Sequence, residues 1–410
     1  MGEVYCGVDW AETHHDIAII DDAGGLLVKR RITDDLAGFT VLSELLAEHA
    51  ATQTGSAEFT PVDIGIETRD GLLVAALRAA GHVVVPINPK AVSRYRDRHS
   101  VSGAKSDPAD ALMLAQIMRT DREVHRPLPD DTDLALAVRV LARAHQDAIW
   151  ARQQTASQLR SLLRQFFPAA LQAFPSLHSR TALIVLAAAP DPTTAATLTR
   201  ANLTDLLHAA GRGTRPAEAV RLAELFSLDQ LHQPPLVEQA MGQAVKGLVH
   251  ALTAQDRIAR DLQAALEPSF ESHPDAEIID SLPGLGLILG ARVLGEFGDD
   301  RSRFADAASR RCYAGTAPIT RASGKGRVVL ARHVRNHRLA NALYLWAFSS
   351  LTKSPGARTY YDHRRAAGDT HNKALRRLAN KLLNQLHRCL EHHEPYDETS
   401  AWPQTLANAA

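Results

Sequence analysis

The sequence predicts an α/β domain followed by a mainly helical remainder. Short apolar runs alternate with helix-period segments over the first 125 or so residues, long stretches without Gly or Pro fill the middle, and the C-terminal block is basic and helix-rich. A length of 410 residues accommodates two or three domains, at roughly 100 to 200 residues each. With 45% hydrophobic and 22% charged residues, the composition excludes a disordered or fibrous chain.

The elements follow in order. Residues 5–8 and 17–20 are short apolar runs, residues 26–32 mix apolar and basic side chains, and Ala23-Gly24-Gly25 supplies the turn between the last two, so three strands form a meander. Residues 36–46 have helical period, 62–66 read as a fourth strand, 72–80 as a helix and 82–87 as a fifth strand. Asp107 opens the next helix, with Pro108 in its first turn, where a missing N–H costs nothing. Residues 132–167 form one long helix whose apolar residues recur at three- and four-residue steps, suited to a coiled-coil stalk, a dimer seam or packing within the chain. Residues 188–235, rich in Ala, Pro, Thr and Gly, look like a linker or insertion, and a second long helix follows over 236–266. The segment Ser281-Leu-Pro-Gly-Leu-Gly286 joins two helices as a hairpin whose glycines let a backbone approach phosphate, and helices over 339–351 and 374–390 close the chain. The expected domains are 1–130, 131–275 (helical stalk with insertion), 276–395, and a tail over 396–410.

Charge narrows the partner. Lys plus Arg and Asp plus Glu both total 46, yet residues 1–130 hold 13 basic against 20 acidic side chains while residues 301–390 hold 19 against 3. A basic block of that density suits phosphate binding through counterion release, although a solvated helical surface also carries such charge. The three cysteines are far apart and never paired as Cys-x-x-Cys, which fits a reducing compartment. Neither a signal peptide nor a long apolar run is present, so a cytoplasmic protein with no membrane partner is expected.

Asp9 lies at the end of the first strand and Glu67 just after the fourth, so both reach one edge of the sheet. Asp107 and Asp110 are three apart at a helix start and share a face. Taken singly, these helical aspartates are ordinary caps or solvated charges. Together the four carboxylates form a hard-oxygen set for two Mg2+ or Mn2+ ions, as phosphoryl transfer uses. His14 and His15 follow closely, but neighbours on a strand point apart, which favours structural or solvated roles.

Gly7-Val-Asp9-Trp-Ala11, Ile64-Gly-Ile-Glu67 and Lys105-Ser-Asp107-Pro-Ala-Asp110-Ala111 resemble the three acidic motifs of the bacterial insertion-sequence transposases of the IS-one-ten type. Downstream, Tyr313-Ala-Gly315-Thr-Ala-Pro318, Ala322-Ser323-Gly324-Lys325, Ala357-Arg-Thr-Tyr-Tyr361 and His371-Asn-Lys-Ala-Leu375 are similar to that family's C-terminal pattern. Arg335-Asn336 stands where Gly-Asn is expected. The resemblance implies an RNase-H-like (RuvC-like) DEDD domain, a helical coiled-coil stalk and a C-terminal serine transposase domain. It implies that Asp9, Glu67, Asp107 and Asp110 hold Mg2+ or Mn2+, that Ser323 attaches covalently to DNA, and that a bridge RNA pairs with donor and target DNA.

By itself, Ser-Gly-Lys-Gly is equally a basic phosphate-binding turn. Arg321, Lys325 and Arg327 flank Ser323 and are placed to neutralise charge on phosphorus, and Arg332, Arg335 and Arg338 extend the expected nucleic-acid contacts. Strand exchange needs several active sites, so a homodimer or homotetramer is expected. A metal-dependent Holliday-junction-type nuclease using water, or a non-catalytic nucleic-acid-binding protein, are the alternatives.

Overall fold

The computed structural model describes residues 3–55, 58–99, 107–211, 216–324 and 326–403. Lys105 and Lys325, both singled out above, lie outside them. The chain divides into two compact units, residues 1–130 and 131–410.

The first unit is a five-stranded mixed sheet in the order β3-β2-β1-β4-β5. Strands β1 (Val4–Trp10), β2 (His14–Asp21) and β3 (Leu26–Thr33) form the antiparallel meander, with Gly24 at φ +87° in its second turn. Strands β4 (Asp63–Ile66) and β5 (Val83–Pro86) add in parallel beside β1. Helices α1 (Leu36–Thr54) and α2 (Leu72–Ala79) occur where the apolar period placed them, and Asp35 caps α1 by accepting from the Gly38 amide. Helix α3 (Pro89–His99) is an addition, since only Ala91, Val92 and Tyr95 break its charged sequence and form its short buried face. Helix α4 (Asp107–Asp121) buries Ala111, Leu114, Ala115, Ile117 and Met118.

Gly7 and Gly65 are cross-strand partners on β1 and β4, and α4 lies directly over both. A β-carbon on Gly7 would run into the Ala111 carbonyl and the Ala115 amide and come within 2.9 Å of Leu114 Cβ; one on Gly65 would sit 2.9 Å from Met118 Cγ. The two glycines form the seat that brings helix backbone onto sheet backbone. Gln116 donates to the Gly24 carbonyl at the start-of-β1 end of the sheet, so α4 runs antiparallel to β1 and points its N-terminus at the carboxyl ends of β1 and β4.

The second unit is helical around one hairpin. Its long helices are α5 (Asp133–Phe166) and α11 (Pro235–Glu271). Between them lie α6 (Pro168–Ala173), α7 (Arg180–Ala188), α8 (Pro192–Ala196), α9 (Arg200–Ala209) and α10 (Pro216–Phe226). After them come α12 (Ala276–Ser281), α13 (Gly286–Phe297), α14 (Ala307–Ala314), the antiparallel hairpin β6 (Ile319–Ser323) and β7 (Gly326–Leu330), then α15 (His337–Ser350), α16 (Pro355–Ala366), α17 (His371–His392) and α18 (Glu398–Ala401).

α5 and α11 pack against each other within the chain. Arg152 pairs with Asp256 at 2.7 Å and Gln255 donates to Thr155. Their far ends enter two cores: Leu159 and Leu163 join Val245, Val249 and Leu252 in one, and Val138 and Ala142 join Leu266 and Phe270 in the other. Residues 188–235 are therefore no linker: Ala195, Leu203, Leu207, Leu222 and Phe226 are buried in the first of these cores. The second core collects α12 to α17 around the fully buried Trp346, whose indole N–H donates to the Pro283 carbonyl. No helix among the described residues is long and apolar enough to cross a membrane.

Candidate functional site

In the first unit, Asp9 is in β1 opposite Asp16 of β2, and Glu67 is the first residue past β4, beside it. Gly7 faces α4, so the pleat puts Asp9, two residues on, and its cross-strand partner Asp16 on the face that α4 covers. Asp107 and Asp110 occupy the first turn of α4 at that same end. Five carboxylates thus share the carboxyl edge of the β1–β4 pair.

Asp110 is buried and ion-paired to Arg96 of α3, and Arg31 of β3 grips both oxygens of the buried Asp16, at 2.7 and 3.3 Å, with Asp107 3.9 Å from the same guanidinium. Among the described residues, ligating atoms of His14, Asp16 and Asp107 lie within 4.8 Å of one another. Of the four carboxylates expected as ligands, only Asp107 is in that cluster. Two aspartates and an imidazole are a donor set that Mn2+ accepts and Mg2+ accepts through the oxygens, so the edge fits a hard divalent ion.

Sequence reasoning passed over Asp16, although the antiparallel turn from β1 into β2 sets it opposite Asp9. His14 belongs to this face as well, two residues before Asp16. His15 points the other way and is structural: it is fully buried, bonded through Nε2 to Asp34 at 3.0 Å and stacked on Trp10.

In the second unit, Ser323 is the last residue of β6 and exposed, paired with Gly326 across a turn in which Gly324 takes φ +55°. Alternation places Arg321 on the Ser323 face and sends Arg327, opposite Ala322, to the other. Arg332 donates to the Ala317 carbonyl and approaches Cys312 Sγ at 3.7 Å. The stem of Arg335 lies against Gly315, which has φ +73° and no β-carbon to obstruct it, so glycine at 315 makes room for the arginine at 335. Arg338 pairs with Asp147 at 2.8 Å and lies over the Trp150 ring. These three cations have intrachain partners, whereas Arg321 and Arg327 project from the exposed hairpin.

The chain after the hairpin is pinned by a buried network. Asn336 caps α15 by accepting from the Leu339 amide and donates to Glu296 at 2.6 Å and to the Tyr313 hydroxyl at 3.0 Å. Glu296, on α13, also receives a bidentate Arg143 at 2.7 and 2.9 Å. Burial raises its pKa, but the Arg143 and Asn336 bonds outweigh burial and hold it below the ordinary carboxylate range. Beside it, burial pushes His145 down to about 4, with the Arg292 and Arg152 charges adding, so its neutral ring faces Arg292 Nη2 at 3.3 Å.

Residues 6–168 match a transposase family of the DEDD, IS110 type, and residues 276–362 match the transposase IS116/IS110/IS902 family. A Streptomyces coelicolor protein named for the IS117 mini-circle and its transposase is 52% identical over 99% of this chain and 98% of its own. The 42 kDa protein of insertion element IS900 from Mycobacterium paratuberculosis is 31% identical over 96% and 97% of the two chains. The 43.6 kDa protein of insertion element IS110 from Streptomyces coelicolor is 29% identical over 93% of each. The expected resemblance is borne out, and the chain belongs to the IS110/IS116/IS902 family of transposases.

Proposed function

We propose that this transposase cuts and rejoins DNA with two chemical centres, a DEDD carboxylate centre in an RNase-H-like domain and a serine nucleophile in the C-terminal domain. The observation that carries the reading is the Gly7–Gly65 seat, which points the first turn of α4, with Asp107 and Asp110, at the strand ends that bear Asp9 and Glu67. An antiparallel meander extended by two parallel strands supports the RNase-H-like assignment, and the paired α5 and α11 support a helical stalk.

Asp9, Glu67, Asp107 and Asp110 would hold Mg2+ or Mn2+, with His14 and Asp16 beside them. Such an ion supplies Lewis-acid stabilisation of charge developing on phosphate oxygens. Arg96 and Arg31 orient the carboxylates from the rim by charge-assisted hydrogen bonds.

Ser323 attacks phosphorus through Oγ. The serine–phosphate bond forms as one ester bond to a deoxyribose oxygen breaks, and that oxygen leaves with the proton the serine gives up. Bond energy is retained in the serine ester, so rejoining needs no nucleotide. Exposure at the tip of a short hairpin, with Arg321 on the same face, supports this role. A bridge RNA that pairs with both DNAs supplies the sequence recognition, and a dimer or tetramer supplies the active sites that strand exchange requires.

Replacing Asp9 by Asn tests the carboxylate centre. The variant should lose divalent-ion-dependent cleavage and recombination while keeping its fold and its co-purified RNA, because it removes a ligand charge and leaves volume unchanged. Full activity of purified Asp9→Asn protein in Mg2+ would remove Asp9 from the centre.

A further inference from the structure

Two cavities of about 430 and 400 Å³ adjoin on one face of α17 and share Thr316 and Arg376 as their common wall. The first lies between α17 and β7, with Val329 and Leu330 on one side and Arg377 and Lys381 on the other. The second lies toward the start of α15, bounded by Arg335 and His337. Each contains a tyrosine, Tyr360 in the first and Tyr344 in the second.

Asp369 organises the cations. Its buried carboxylate accepts from Lys373 at 2.7 Å, Arg364 at 2.6 Å and Arg377 at 3.2 Å, so one negative charge fixes three positive ones and leaves two in excess. Arg376, at the shared wall, has no ion-pair partner among the described residues. Asn380 donates to the Thr316 carbonyl and so ties α17 to the wall that the two cavities share. Cations lining both cavities and the exposed Tyr344 ring are what a single nucleic-acid strand uses: phosphates meet the cations and a base stacks on the ring. Cavities of this size suit nucleotides and are too small for a duplex.

We propose that this double cavity binds a single strand of DNA, threaded along α17 from Lys381 past Arg376 to Tyr344. DNA is the occupant because β7, which walls the first cavity, is paired residue by residue with β6, the strand that ends in Ser323. A strand held there lies against the base of the serine hairpin, where Val329 pairs with Thr320 and Leu330 with Ile319, so the inference rests on the serine reading for its purpose and on the groove alone for its binding.

The test uses the full chain with its co-purified RNA and a short labelled oligodeoxythymidylate, titrated over a range of salt concentrations. Arg376→Gln with Lys381→Gln should weaken binding and lower the slope of log affinity against log salt by about 1.4, twice the roughly 0.7 per single-strand phosphate contact. Tyr344→Ala should weaken binding by about tenfold with the slope unchanged. Arg376→Lys, which keeps the charge, should keep the wild-type slope and separates loss of charge from misfolding. Unchanged affinity and slope in the double variant would overturn the groove, as would a loss confined to oligouridylate, which would make RNA the occupant. Failure of wild-type protein to hold the DNA strand at low salt also overturns it, while serine–DNA adduct formation, measured separately, decides the reading beneath it.

Discussion

Replacing Gly7 by alanine tests whether α4 is positioned by the close approach of sheet and helix backbones. The added methyl meets the Ala111 carbonyl and Ala115 amide, and no side-chain rotation relieves contacts with backbone. Leu114 Cβ, at 2.9 Å, alone demands a 0.5 Å retreat to reach the 3.4 Å of ordinary contact, and the two backbone atoms demand more. The helix must move as a body, carrying Asp107 and Asp110 with it. Overpacking of this kind costs about 1 to 3 kcal/mol, and rigid neighbours place Gly7→Ala at the upper end.

Gly65→Ala is the graded comparison. Its nearest neighbours are the flexible Met118 side chain at 2.9 Å and the Leu114 carbonyl at 3.0 Å, and alanine recovers about 0.5 kcal/mol by restricting the unfolded chain, so a net cost of about 1 kcal/mol, below that of Gly7→Ala, is expected. Gly247→Ala in α11 has nothing within 4 Å and should stabilise its own unit by about 1 kcal/mol. Because the chain has two units, a global melt mixes their transitions, and hydrogen exchange of the β1 and α4 amides is the appropriate assay. About 3 kcal/mol corresponds to roughly a hundredfold loss of protection in Gly7→Ala. Protection in Gly7→Ala within a factor of about three of wild type would refute the seat.

Glu296→Ala should destabilise the second unit by about 2 to 3 kcal/mol, because it removes the buried acceptor of the bidentate Arg143 and of Asn336; hydrogen exchange of the α13 and α15 amides reads the loss, and unchanged protection would show the network to be dispensable. The pH dependence has two windows. His145, held neutral with a pKa of about 4 against 6.5 in the unfolded chain, makes stability full above about pH 6.5 and lost as pH falls toward 4, and His145→Gln should flatten denaturation curves across that window. Asp369, which the Lys373 bond above all, and then Arg364 and Arg377, bring down to about 2, contributes stability that is full above 3.8 and lost as pH falls toward 2, so Asp369→Asn should alter only the lower window.

Much of the first unit was legible because its strands are continuous apolar runs and its helices have an apolar period: β1, β2, β4 and β5 appear where residues 5–8, 17–20, 62–66 and 82–87 announced them. Helix α3 was not, since Pro89–His99 is charged along most of its length and only Ala91, Val92 and Tyr95 pack on the α4 side, with Arg96 pairing to Asp110. Nor was the β6–β7 hairpin, whose residues are nearly all exposed, so no alternation of polar and apolar side chains marks it. Asp9 and Glu67 could be placed from strand ends alone. Asp16 and Arg31 required strand register, which depends on how the meander folds back and is not written in either strand by itself. The ion pair of Arg338 depends on which distant helices meet, since its partner Asp147 is on α5; the hub at Asp369 is local, joining Arg364, Lys373 and Arg377 across the turn from α16 to α17.

The central claim is that Ser323 forms a bond to DNA. Wild-type protein as purified, incubated with Mg2+ and end-labelled DNA and run on a denaturing gel, should give a protein-linked band. Ser323→Ala should lose that band and recombination together, and keep its fold, since the residue is exposed and a lost hydrogen bond costs only about 1 kcal/mol. Cleavage by Ser323→Ala at near wild-type rate, with no protein-linked band from either protein, would contradict the serine mechanism and leave a carboxylate-centred nuclease that uses water.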